Sequence, residues 1–139
     1  MTVSTRGRYA LRVMIDLAEH YASGYTPMRD VAVRQGISLK YLERILPALT
    51  KGGMIVGVHG KGGGYRLTRP PEECCVGEII RMTEGDFTTV SCVGREAQAC
   101  AMAENCRTRA LWSGLNDVVN QYLDGVMLSD LMRKPLTDE

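Results

Sequence analysis

The chain has 139 residues, with 17 Lys and Arg against 16 Asp and Glu, 45% hydrophobic and 6% aromatic residues. A chain of this length can bury roughly two thirds of its unfolded surface around one core, so disulfide staples are not required for folding. No apolar run approaches the ~18 residues of a membrane span, and residues 1–8 lead into an amphipathic pattern rather than a signal peptide, so a soluble, cytoplasmic protein with no membrane partner is expected.

Residues 9–21 place Tyr9, Ala10, Val13, Met14, Leu17, Ala18 and Tyr21 at helical spacing, with Arg12, Asp16, Glu19 and His20 on the other side. This predicts a first amphipathic helix capped from Ser4 or Thr5. The stretch Ser23-Gly24-Tyr25-Thr26-Pro27 breaks it, and Thr26-Pro27 predicts the cap and first turn of a second helix that Gly36 ends near Gln35. A third helical pattern follows, capped by Ser38, with Tyr41, Leu42, Ile45, Leu46 and Leu49 facing inward, a bend at Pro47 and a stop at Gly52-Gly53. Two short extended segments, 55–58 and 65–67, flank His59-Gly60-Lys61-Gly62-Gly63-Gly64 and read as a hairpin with a glycine-rich tip.

Beyond Pro70-Pro71, residues 76–83 predict a short helix with Val76, Ile79, Ile80 and Thr83 on one side. Residues 88–105 show no sustained periodicity. After Cys106 a strong helix is expected, its stripe of Leu111, Leu115, Val118 and Tyr122 with Trp112, Val119 and Leu123 wider than one small core needs, which points to a partner subunit. A last short helix near 128–132 precedes a polar tail.

The net charge of +1 conceals a division. Residues 1–70 carry 11 Lys and Arg against 4 Asp and Glu, whereas residues 71–139 carry 6 against 12. The basic half suits a polyanion. Its order of elements is that of a winged helix-turn-helix, in which the helix beginning at Ser38 enters the major groove. The expected fold is therefore mainly α, a winged helix-turn-helix with a long C-terminal dimerisation helix. Residues 1–70 would form the DNA-binding domain and 71–139 the cysteine loop and dimerisation region.

On the reading helix, Ser38, Lys40, Tyr41 and Arg44 offer hydrogen-bonding and cationic groups for phosphates or guanine edges, and Glu43 can accept from a cytosine amine. The glycine-rich tip lacks the Gly-Lys-Ser/Thr of a phosphate-cradling NTPase loop and the third glycine of a dinucleotide fingerprint. It reads instead as a wing, with His59, Gly60 and Lys61 at a minor groove and Arg66 adding charge.

Five cysteines are present: Cys74, Cys75, Cys92, Cys100 and Cys106. The last three crowd an irregular loop, a pattern that favours a metal or redox site over a disulfide frame, with iron–sulfur, zinc or copper as candidates. Cys106, at the start of the long helix, gains thiolate character from the helix N-terminus. Cys74-Cys75 reads as a pair of small buried or half-buried side chains.

The opening Ser4-Thr5-Arg6-Gly7-Arg8-Tyr9-Ala10, the Gln35-Gly36-Ile37-Ser38-Leu39 turn with Tyr41-Leu42-Glu43, the Gly60 to Tyr65 wing, Val76-Gly77-Glu78-Ile79 and Cys106 through Ala110-Leu111-Trp112 resemble the IscR-type iron–sulfur cluster transcriptional regulators, a family that includes nitric-oxide sensors of the NsrR type. The resemblance covers nearly the whole chain. It implies a homodimeric, non-enzymatic regulator of double-stranded promoter DNA, with a 2Fe–2S cluster, or a 4Fe–4S one, on Cys92, Cys100 and Cys106. Cluster occupancy would then modulate DNA binding. The alternative is a regulator of the same fold that senses oxidants through bare thiols or zinc.

Four departures from the family pattern stand out. His59 replaces a frequent Arg, and the first gap in the cysteine loop is two residues longer. The position resembling the family's ligating histidine is Arg109, and the position matching the NsrR-type carboxylate is Arg8. Neither arginine can ligate iron while protonated. The fourth position is left to Glu96 or Glu104, a partner side chain or solvent.

Overall fold

The structure, a computed structural model, describes residues 2–85, 88, 90, 92, 93 and 104–133. The first helix, α1, spans Thr5–Glu19; the Ser4 hydroxyl caps it by accepting from the Gly7 N–H at 3.3 Å. Its face of Ala10, Val13, Met14 and Leu17 is fully buried. A short 3₁₀ turn, Tyr21–Ser23, leads to α2, Met28–Gln35.

Thr26 does not cap α2. Pro27 holds the N-cap position, because the backbone of Thr26 is extended and paired with Tyr65, N–H to O at 2.8 Å and O to N–H at 2.9 Å. Both peptide groups of Thr26 are thus committed to the hairpin. Gly36 ends α2 at φ 64°, the left-handed turn that glycine enters without Cβ strain, and α3 follows at Leu39–Lys51. Pro47 lies inside α3 on its exposed side, where water can reach the carbonyl that it leaves without a helical partner. The opposite face buries Leu42, Ile45, Leu46 and Leu49.

The strands β1, Ile55–Val58, and β2, Gly64–Leu67, pair antiparallel in the register Ile55 with Leu67 through Val58 with Gly64. Helix α4, Val76–Glu84, then packs against α1, α3 and α5, Arg109–Asp124, while α6 is Leu128–Leu131. One core joins residues from both sides of position 70: Met14, Leu17 and Ile45 share it with Cys74, Ile79 and Leu128. Each such fully buried side chain contributes about 1.5–3 kcal/mol over an exposed one. Backbone bonds from Val76 N–H to Val126 O and from Leu128 N–H to Cys74 O, both 2.9 Å, tie the end of α5 to the start of α4.

The broad stripe on α5 resolves into two faces. Val119 and Leu123 pack against buried Val76 and Ile80, whereas Leu111, Leu115, Val118 and Tyr122 are 61%, 40%, 62% and 72% exposed. Among the described residues, no helix is long and apolar enough to cross a membrane.

Candidate nucleic-acid interface and cysteine site

Helix α3 presents Lys40, Glu43 and Arg44 to solvent. Positions i, i+3 and i+4 share one side of a helix, so the three heads form one patch. Among the described residues none of the three enters an ion pair, so their charges are available to a ligand. Ser38 is exposed, and its Oγ accepts from the Tyr41 N–H at 3.1 Å, capping α3. Tyr41 is half-buried: its ring meets Tyr9 edge-on, centroids 5.4 Å apart at 77°. Its position therefore anchors the N-terminal end of α3 on α1 as well as bordering the patch.

His59, Gly60 and Lys61 are all exposed at the tip between β1 and β2. The root of the wing is fixed in two ways. At Gly64, φ 151°, a Cβ would overlap the Thr26 carbonyl, so only glycine permits the Thr26–Tyr65 pairing. Arg66, expected to add charge at the wing, lies over the rings of Tyr21 and Tyr25, 5.2 and 5.7 Å from their centroids. It holds the wing to the turn after α1.

Asp16, read from periodicity as an outer-face residue, is only 2% exposed. Arg34 donates to it from Nε at 3.0 Å and Nη2 at 2.7 Å, and Gln35 Nε2 donates at 3.0 Å. Arg12 donates in turn to the Gln35 carbonyl and, at 3.3 Å, to its side chain. These bonds set the angle of α1 against the turn between α2 and α3. Burial alone would raise the Asp16 pKa, but the Arg34 and Gln35 hydrogen bonds and the Arg34 and His20 charges outweigh it and hold the carboxyl below its usual value.

A lowered folded-state pKa contributes stability that is complete above the unfolded carboxylate value and is lost as pH falls through the lowered one. Asp16→Asn is expected to cost about 2 kcal/mol near neutrality, below the usual figure for a broken buried pair because Arg34 is 38% exposed. Urea unfolding at about pH 7 and about pH 3 checks this: the gap between wild type and variant should narrow at the lower pH. An equal gap at both would show that the carboxylate charge contributes nothing.

Of the cysteines, Cys74 is fully buried and Cys75 half-buried; burial pushes the Cys74 thiol pKa up. Cys92 is half-buried, and Cys100, like Glu96, lies outside the described residues. Cys106 stands just before α5. Its Sγ is 3.4 Å from Thr108 Oγ1, and this bond, with the backbone N–H groups of Thr108 and Arg109, lowers its thiol pKa. A thiol biased toward thiolate is a suitable soft ligand. Among the described residues no three His, Cys, Asp or Glu side chains converge on one metal position. Glu104 is exposed, and Arg8 is exposed in the first turn of α1, donating to Thr5 Oγ1 at 3.1 Å.

Sequence periodicity alone did not reveal Asp16, the stacked Arg66 or the Thr26 pairing. An acid one residue before Leu17 on a buried face was the only trace of the first; the other two depend on partners remote in sequence.

A helix-turn-helix with a cationic second helix and a pinned, glycine-tipped hairpin defines a winged helix transcriptional regulator. Comparison with known proteins agrees. The chain is 39% identical over 132 residues to the HTH-type transcriptional regulator IscR of Aliivibrio salmonicida, spanning 95% of this chain and 77% of that protein. Among solved structures it is similar to CymR, the global cysteine regulator of B. subtilis, with TM-score 0.78, 33% identity and 99% of each chain covered. It is also similar to T. potens IscR, with TM-score 0.72, 31% identity, and 94% and 85% of the two chains covered. The family model described as an iron-dependent transcriptional regulator matches residues 3–134. The chain belongs to this family, Rrf2, and is a transcriptional regulator rather than an enzyme.

Proposed function

We propose that the protein binds double-stranded promoter DNA as a homodimer and that an iron–sulfur cluster, 2Fe–2S in the first instance, modulates that binding. The observation that carries the DNA reading is the exposed Lys40, Glu43 and Arg44 patch, free of internal ion pairs among the described residues. Lys40 and Arg44 neutralise phosphates or read guanine edges, Glu43 accepts from cytosine, Ser38 contacts phosphate and Tyr41 orients the end of α3. His59, Gly60 and Lys61 lie at the minor groove. Residues 1–70 act as the reading portion and 71–139 as the sensing and pairing portion, the latter two-fold through the exposed face of α5.

Cys92, Cys100 and Cys106 are the cluster ligands in this reading, supported by the thiolate bias at Cys106 and by similarity to proteins named IscR. When bound, the cluster supplies one-electron redox chemistry and a crosslink between its ligands. Arg109, protonated, takes no part in ligation. The chain's own contribution is to hold Cys106 at the head of α5, so that its position is linked to the pairing face.

Titrating a fluorescent promoter duplex tests the DNA reading. The double variant Lys40→Ala, Arg44→Ala is expected to weaken binding roughly 10- to 100-fold and to lower the slope of log affinity against log salt by about 2. Unchanged affinity and slope would remove α3 from the interface.

A second reading keeps the fold and the DNA site but uses bare thiols or zinc. Its support is the similarity, over 99% of both chains, to a protein described as a cysteine regulator. Iron, sulfide and zinc analysis of anaerobically purified protein separates the two.

A further inference from the structure

We infer that Glu84 is a positioning residue that couples the cysteine loop to the reading head by completing the N-terminal cap of α1; this rests on the cluster reading above. In a capping box, the N-cap hydroxyl accepts from the N3 amide while a Glu at N3 reaches back to the N-cap amide. Here the N-cap is Ser4 and N3 is Gly7, which has no side chain to offer, and the first turn of α1 holds no acidic residue. The carboxylate comes from elsewhere. Glu84 Oε1 accepts from Ser4 N–H and from Gly7 N–H, each at 3.1 Å, and from the Ser4 hydroxyl.

Gly7 is buried, and a Cβ there would overlap Glu84 Oε1. Glycine at N3 thus leaves the space in which a carboxylate from 77 residues further along the chain reaches the helix amides. That carboxylate also brings negative charge to the positive end of the α1 dipole.

The placement gives the contact its consequence. Glu84 is the last residue of α4, and Cys92, a proposed ligand, follows eight residues later. At the other end of α1, Asp16 grips Arg34 and Gln35 beside the turn into α3. A shift of the chain leading to Cys92 is thus passed through Glu84 to α1, and through Asp16 to the reading helix.

The test separates a cap from a coupler. Gly7→Glu combined with Glu84→Ala supplies the carboxylate from within α1 and cuts the link to α4. In cluster-free protein, Glu84→Ala alone should speed hydrogen exchange of the Gly7 amide about fivefold, the double variant should restore protection, and Glu84→Gln, which keeps an acceptor oxygen, should lose little. Wild-type DNA affinity is expected to differ at least about fivefold between cluster-loaded and cluster-free forms, whereas in the double variant the ratio falls to about twofold or less with iron content unchanged. Glu84→Gln should keep most of the wild-type ratio.

Unchanged Gly7 exchange in Glu84→Ala would mean that the bond is absent in solution and would overturn the inference. A wild-type affinity ratio persisting in the double variant would overturn the coupling while leaving the cluster reading intact. A wild-type protein that takes up no iron, or whose DNA affinity ignores loading, would overturn both.

Discussion

Val118→Glu is expected to convert the proposed homodimer into a monomer and to abolish tight operator binding, with helix content unchanged. Leu111, Leu115, Val118 and Tyr122 recur at i, i+4, i+7 and i+11 along α5, and all four are exposed in the single chain while the opposite face of the helix rests on α4. In the proposed homodimer this row meets its own copy across a two-fold axis, so every substitution counts twice. Losing burial of one valine per protomer removes about 2 kcal/mol on each side, together about 4 kcal/mol, or roughly a thousandfold in the dimer dissociation constant. Two carboxylates facing each other add repulsion. Sedimentation velocity and circular dichroism read the outcome, and a monomer should then bind only half-sites, at near non-specific affinity. A variant that stays dimeric with wild-type promoter affinity would place the pairing surface off this face.

The second large effect falls on the proposed cluster site. Cys106→Ser is expected to weaken iron retention at least about a hundredfold, since loss of a ligand exceeds the 10- to 100-fold cost of losing one of its supports. Anaerobic reconstitution should yield protein without the visible absorption of the wild type, and Cys92→Ser and Cys100→Ser should behave alike. Cys74→Ser is the contrast. Its sulfur is buried in the main core, 3.5 Å from the Pro70 carbonyl, so the change should lower thermal stability and leave iron and sulfide content untouched. Full iron and sulfide content in the Cys106 variant would remove that residue from the site. Stoichiometric zinc without sulfide in the wild type would favour the thiol or zinc regulator.

Much of this architecture is written in local patterns. The buried face of α1, the Ser38 cap, the left-handed Gly36 and the glycine tip each depend on residues within a turn of one another, and the structure follows them closely. The two faces of α5 were legible only as one broad stripe, because periodicity reports which side is apolar and not how many partners share it. Chemistry of side-chain type likewise marked Lys40, Arg44 and the three clustered cysteines as candidates from sequence.

Other features have no local signature. Asp16 sits on the helical wheel where an exposed acid would sit, and only the arrival of Arg34 and Gln35 from α2 makes its burial favourable. Arg66 carries the same charge as its neighbours on the wing, and the rings of Tyr21 and Tyr25 turn it from a cation for DNA into a clasp. Gly7 would pass for a weak helix residue until Glu84 fills the space beside it. Sequence by itself determined where the helices, turn and wing lie and which side chains are candidates for the chemistry, since those follow from backbone preference, spacing and residue type. Tertiary structure alone decided which charges are spent on holding the fold and which remain for a ligand, since that depends on burial and on partners tens of residues away.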